Sequence, residues 1–254
     1  MKGIVSSLEN FSKHYPILKP LNTLVNFYWH RRHHRASKFF YSGFIKKGDL
    51  CFDVGANLGN RTQLFLELGA RVISVEPQPS CLTHLNKLYG KNSSVHIIPK
   101  ALSEKEGTAV LSICEESPIL STMSDKWQHE GRFSQEFRWN TSREVPTTTL
   151  DLLIAEFGIP VFCKIDVEGF EETVLKGLTK PLNYISFEFT FEFLEDAVRC
   201  IDLLASLGPV KLNFSIGEKM KLYLQDWVAP VELFEVLRSL EDKKLWGDIY
   251  ARYL

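Results

Sequence analysis

Short apolar runs alternate with amphipathic stretches along most of this chain. Leu50–Val54 is an apolar run interrupted only by Asp53, the pattern of a strand buried on both faces. Thr62–Leu68 then sets Leu64, Phe65 and Leu68 on one side at helical spacing. Arg71–Glu76 predicts a second strand, Ser80–Tyr89 a second helix and Val95–Ile98 a third strand; Thr108–Cys114 alternates as a half-exposed strand does. After residue 145 the rhythm resumes with a helix at Leu150–Phe157, a strand at Val161–Val167, a helix at Glu171–Leu178 and a strand at Tyr184–Phe189. A longer helix is expected over Leu194–Leu207, then closing strands at Val210–Ser215 and Asp248–Leu254 with a helix at Val231–Leu240 between them. Strands and helices in strict alternation imply an α/β fold, Rossmann-like, with a mostly parallel sheet covered by helices on both faces.

Two segments depart from the rhythm. Residues 1–47 read as a helical N-terminal extension, interrupted by Pro16 and Pro20 and carrying a short stripe at Leu21, Leu24, Val25 and Tyr28. The stripe leads into His30-Arg31-Arg32-His33-His34-Arg35, a solvated helix face or a contact for phosphate or a membrane surface. Residues 115–145 read as an insertion in the main domain, 48–254, because ordinary connections are shorter. Trp127, Phe133, Phe137 and Trp139 lie there among His129, Arg132, Arg138 and Arg143, as a lid over an acceptor or as a satellite core.

Composition narrows the partners. The 30 basic and 31 acidic residues nearly cancel, so no global field favours nucleic acid. Five cysteines without a C-x-x-C give neither a disulfide framework nor zinc spacing; Cys51 and Cys163 are expected in the core. No apolar run reaches membrane-spanning length and no secretory signal is apparent, so a cytoplasmic location is expected.

The chemistry gathers where parallel strands end, since ligands of open α/β sheets collect at their carboxyl ends. Asp53, Glu76, Asp166 and Glu188 all fall there, although acids are scarce in strands and costly to bury unpartnered. Gly55 and Gly59 bracket a bend, but Asn57 and Asn60 stand where a dinucleotide fingerprint wants glycine. A ligand with a ribose and no pyrophosphate, such as S-adenosylmethionine, suits that bend. Glu76 is then expected to accept the ribose hydroxyls, with backbone N–H groups of Gly55 and Gly59 facing a carboxylate. Asp53 orients the turn or faces an amino group through water. A divalent ion between Asp166 and Glu188 is a further option, because hard cations take carboxylates.

Phe52-Asp53-Val54-Gly55-Ala56-Asn57-Leu58-Gly59, then Val75-Glu76-Pro77, then Lys164-Ile165-Asp166-Val167-Glu168-Gly169-Phe170-Glu171 resemble the FkbM-type methyltransferases over about residues 40–190. The last block is the more family-specific. The resemblance implies a class I methyltransferase using S-adenosylmethionine, with a seven-stranded sheet whose last strand is antiparallel. It implies a cofactor set of Asp53, Gly55, Asn57, Gly59 and Glu76, with Ala101 and Ser103 beside the adenine. The expected reaction is in-line transfer to a hydroxyl of a sugar, glycan or other small natural product. Alignment is then the protein's main contribution, and a base assists the poor alcohol nucleophile. Asp166 is the first choice of base, Glu168 the second and His129 the third. Capping of the helix that begins near Gly169 is the plainer role for Asp166 and Glu168. A nicotinamide-dependent oxidoreductase and a noncatalytic nucleoside-binding module are the alternatives. A nucleic-acid methyltransferase is disfavoured by the missing Pro-Pro-aromatic block after the fourth strand. Nothing in the sequence indicates the oligomeric state.

Overall fold

A computed structural model describes residues 33–242 and 244–254. The stripe at Leu21–Tyr28 and His30–Arg32 lie outside the described residues. Two compact units divide the chain, residues 1–43 and Phe44–Leu254. In the first, residues 33–41 form a helix in which the Ser37 hydroxyl donates to the His33 carbonyl at 3.0 Å.

The second unit is built on a seven-stranded sheet. Its strands are β1 (Leu50–Val54), β2 (Arg71–Val75), β3 (Val95–Ile98), β7 (Phe162–Ile165), β8 (Tyr184–Thr190), β9 (Val210–Phe214) and β10 (Trp246–Tyr253). Their spatial order is β3-β2-β1-β7-β8-β10-β9. The first five run parallel, while β10 is antiparallel to both its neighbours. The expected α/β, Rossmann-like architecture with an antiparallel last strand is therefore the one observed. The order reverses between β1 and β7, which makes the carboxyl ends of those two strands the topological switch point.

Burial explains why β1 and β7 occupy the centre: every residue of both is buried. Cys51 and Cys163 are fully enclosed there, and all five cysteines are free thiols. Helices α1 (Asn60–Glu67), α2 (Pro79–Tyr89), α4 (Leu150–Phe157), α5 (Glu171–Lys176), α6 (Leu194–Leu207) and α7 (Pro230–Ser239) connect the strands. One apolar core joins Phe52, Ile165 and Phe187 of the sheet to Val174 of α5 and Ile201 of α6. Pro79 opens α2 at a position where its missing N–H costs nothing.

A second, three-stranded sheet departs from the sequence reading. It contains β4 (Ala101–Leu102), β5 (Gly107–Ile113) and β6 (Thr141–Thr148), in the order β4-β6-β5. Strand β5 pairs antiparallel with β6 along its whole length, from Gly107 opposite Thr147 to Ile113 opposite Thr141. Periodicity missed β6 because four exposed residues, Thr141 to Glu144, open it and only Val145 among its first five turns inward. The connection from β5 to β6 holds a 3₁₀ turn (Pro118–Leu120) and helix α3 (Asp125–Glu130). Trp127 of α3 packs against Phe133 and Phe193, with ring centroids 6.5 and 6.0 Å away, and the Trp139 indole donates to the Leu120 carbonyl at 2.7 Å. These aromatics form a small satellite core, and Trp127 also walls a cavity.

Candidate functional site

The bend after β1 owes its shape to close main-chain approaches. Gly55 has φ 77°, and a Cβ there would fall 1.9 Å from the Asp166 carbonyl oxygen. Only glycine lets the ends of β1 and β7 come this close. Gly59 has φ 82°, and a Cβ would meet Leu85 and Tyr89 of α2 at 2.8 Å. The two glycine amides do not face the cleft, as the sequence reading had expected. That of Gly55 donates to Val75 O at 3.0 Å and that of Gly59 to Ala56 O at 2.8 Å.

The polar feature of the bend is instead the Glu76 carboxylate. Asn57, in the left-handed region at φ 49°, donates its backbone N–H to Glu76 Oε2 at 2.8 Å. The Gln78 N–H donates to Oε1, also at 2.8 Å. A carboxylate accepts about four hydrogen bonds, so capacity remains for a diol. Glu76 is 6 % exposed, and burial pushes its carboxyl up to about 7, against the pull of the two amides.

Asp53 lies behind this arrangement. It is buried, accepts from the Thr62 hydroxyl at 2.5 Å, and Thr62 in turn lies 2.7 Å from the Ser74 hydroxyl. Asp53 thus ties α1 to β1 and β2, and burial raises its carboxyl pKa. Ala101 lines the cleft together with Lys100, whereas Ser103 does not. Its carbonyl oxygen would lie 2.5 Å from a Cβ at Gly177, and its N–H donates to Thr148 O at 2.9 Å. His129 sits on the exposed side of α3 with Nδ1 2.7 Å from the Asp125 carbonyl, and it lines neither cavity.

Beyond β7 the structure gathers carboxylates that are distant in sequence. Oxygens of Asp166, Glu168 and Glu188 lie within 4.8 Å of one another. Lys164, 1 % exposed, is the ammonium beneath them. It donates to Asp166 Oδ2 at 3.1 Å and to the Ile165 carbonyl at 3.1 Å, and it pairs with Asp248 Oδ1 at 2.9 Å. Tyr250 donates to the other Asp248 oxygen at 3.2 Å. Glu188 stands opposite Asp248 in the β8–β10 ladder, a like-charge pairing that is unfavourable without a neutralising partner. Burial, and then Asp166, push the carboxyls of both Glu168 and Glu188 well above their ordinary range.

Neither Asp166 nor Glu168 caps α5; Glu171 holds the turn instead. Its Oε1 accepts from Val167 N at 3.1 Å and Gly169 N at 3.3 Å, and burial raises its carboxyl to about 7. Thr122 donates to the Glu168 carbonyl at 2.6 Å, and Glu168 takes a left-handed φ of 53°. That backbone is costly for a non-glycine residue and persists because both sides of the turn are pinned. Sequence reasoning missed Glu171, Lys164 and Asp248 as members of the site. A lysine within an apolar strand was the available signal for Lys164.

Two concavities flank the carboxylates. A narrow cleft of about 60 Å³ lies between Gly55, Glu76, Ala101, Asp166 and Glu168 on one side and Pro118–Met123 on the other. Its carboxylate acceptors suit a nucleoside diol and a cationic centre. A larger cavity of about 300 Å³ lies between α3, α5 and the start of α6, with Glu188 and Thr190 among its lining residues. That volume is at the lower end of small-molecule sites.

The fold is α/β and Rossmann-like, with its cleft at the switch point of the sheet. Residues 53–214 match the family described as the methyltransferase FkbM domain, and the chain belongs to that family. Hexuronic acid methyltransferase AglP of Haloferax volcanii is 28 % identical over 144 residues, 56 % of this chain and 55 % of AglP. The chain thus spans about half the length of the curated relative it matches.

Among solved structures, precorrin-6y C5,15-methyltransferase from Geobacter metallireducens aligns at TM-score 0.44 and 11 % identity over 87 % of each chain. An rRNA methylase from Streptococcus thermophilus aligns at TM-score 0.42 and 11 % identity, covering 86 % of this chain and 94 % of the other. Fibrillarin from Aeropyrum pernix, with S-adenosyl-L-methionine bound, reaches 0.39 and 13 % over 82 % and 68 %. Likeness at these scores adds nothing to the family assignment. Among the described residues, no helix is long and apolar enough to cross a membrane.

Proposed function

We propose that the protein transfers a methyl group from S-adenosylmethionine to a hydroxyl of a sugar, glycan or other small natural product. The observation that carries this reading is Glu76: a buried carboxylate, fixed by two backbone amides, with acceptor capacity left and lining a cleft that ends at Asp166 and Glu168. The activity of AglP on a hexuronic acid supports a sugar-like acceptor. The donor would supply an already activated methyl group on a sulfonium.

In this reading Glu76 holds the ribose, and Asn57, Ala101 and Gly55 shape the cleft around the nucleoside. Asp53 works at one remove, keeping α1 and β1 in register. Asp166 and Glu168 face the cleft where positive charge is to be held. Asp166, oriented by Lys164, takes the proton of the acceptor hydroxyl, with Glu168 the second candidate. His129 has no part in this scheme, because it reaches neither cavity. His33, His34 and Arg35, the described part of the basic cluster, remain a proposed peripheral contact for an anionic surface.

Mass spectrometry of ligand released from freshly purified protein tests the donor directly, and titration with S-adenosylhomocysteine follows. We expect micromolar binding, weakened at least tenfold by Glu76→Ala, about 1.4 kcal/mol. Equal binding by the variant would remove the ribose from Glu76.

A further inference from the structure

The larger cavity carries a charge imbalance that constrains its occupant. Resting on the methyltransferase reading above, we propose that it receives an amino-bearing, hydroxylated acceptor, of which an amino sugar is the simplest chemistry, and that Glu188 is the residue selecting it. The two concavities divide the carboxylates between them: Asp166 and Glu168 line the narrow cleft, whereas Glu188 lines the larger cavity. Oxygens of all three lie within 4.8 Å of one another, so with Lys164 and a single sulfonium nearby the three, together with Asp248, still outnumber the positive charges.

Among the described residues, Lys164 is the cation that acts on Glu188, and it is divided among several carboxylates. Lys164 is already shared between Asp166 and Asp248. Arg199 is held by Glu172 at 2.7 Å and by Asp196 at 2.6 Å, and Lys176 by Glu172 at 2.8 Å. Lys126 pairs with Asp196 at 2.8 Å and lies 4.5 Å from the centroid of the Phe193 ring. The rim of the cavity therefore already holds one ammonium between a carboxylate and an aromatic face, an arrangement that favours cations. A carboxylate-bearing acceptor finds every described cation of the rim already held and joins carboxyls that are pushed toward their neutral forms, whereas an ammonium guest draws Glu188 back to its ionised form.

A second observation points to a hydroxyl. Trp127 lines this cavity, is 4 % exposed, and its indole N–H, itself covered, has no acceptor among the described residues. An indole nitrogen only donates, so an oxygen-bearing guest answers it where a purely cationic one does not. The requirements together are a positive charge near Glu188 and a hydroxyl oxygen near Trp127.

The experiment uses the full chain saturated with S-adenosylhomocysteine, whose own titration is run first. Calorimetric titrations then compare methyl glucosaminide, methyl glucoside and methyl glucuronide. The glucosaminide is expected to bind at least tenfold more tightly than the glucuronide, with the glucoside between them. Glu188→Gln is expected to shrink that gap below threefold while leaving S-adenosylhomocysteine affinity unchanged. Equal or tighter binding of the glucuronide overturns the proposal, as does a glucosaminide that does not bind or a gap that survives the substitution. Should the variant lose S-adenosylhomocysteine affinity, the wild-type gap alone decides. A wild-type chain that fails to bind S-adenosylhomocysteine at all refutes the methyltransferase donor reading instead, and the two failures stay distinct.

Discussion

The narrow cleft takes its form from the main chain, while the larger cavity takes its character from side chains. In the cleft, Gly55 lets two strand ends nearly touch, and the amides of Asn57 and Gln78 fix the Glu76 carboxylate. Beside the cavity, Glu188, Asp166, Glu168 and Asp248 come from three separate strand ends and share a single buried lysine. Geometry set by backbone permits few substitutions. A field set by charges can be retuned residue by residue.

The comparison breaks most severely at Lys164. Removing a buried ammonium leaves Asp166 and Asp248 facing each other without compensation, and truncating one partner of a buried pair costs about 3–5 kcal/mol. Lys164→Ala should therefore lower the urea unfolding free energy by that amount. A loss below about 1 kcal/mol would show that the carboxylates do not depend on the lysine.

Gly55 tests the other side. Gly55→Ala adds positive-φ strain and a collision with the Asp166 carbonyl, and about 3 kcal/mol is expected. Gly48 is the control: it has φ 92°, but nothing lies within 4 Å of the added Cβ. Gly48→Ala should cost only about 1 kcal/mol. If the two variants unfold at the same denaturant concentration, the close approach of β1 and β7 is not what the glycine serves.

What the sequence revealed follows the same division. The glycines at 55 and 59 and the acid at 76 lie within one strand–turn–helix–strand unit, where local spacing predicts spatial neighbours. The parallel sheet was equally legible, because buried central strands read as apolar runs. Strand β6 was not, since its face pairs with β5 in the open and its residues alternate weakly. Glu171 looked like one more acid in a helix; only the fold shows its oxygen holding Val167 and Gly169. Asp248 reaches Lys164 across β8 from a strand more than eighty positions later, and no local pattern announces that contact. Asp53, an acid at a strand end, is turned inward to Thr62, a partner that strand-end placement alone does not indicate.

The smallest and most diagnostic effect is the pH response of the cleft. Burial holds the Glu76 carboxyl near 7, above its ordinary value of 4.5, so the free protein binds a proton there as pH falls below 7. Ribose hydroxyls donate to the ionised form, so S-adenosylhomocysteine affinity should rise up to about tenfold from pH 6 to pH 8 and then level off. Stability runs the other way. A folded-state pKa above the unfolded one gives a contribution fully present below about 4.5 and lost as pH rises through about 7, and Glu171, also near 7, adds to it with the same sign. Unfolding free energy of the ligand-free chain should thus decline across the window in which ligand affinity grows. Glu76→Gln separates the two, flattening the affinity profile while the Glu171 share of the stability slope persists. An affinity profile that keeps its slope in the variant would place the titrating group elsewhere, with the carboxylates beyond β7 the next to examine.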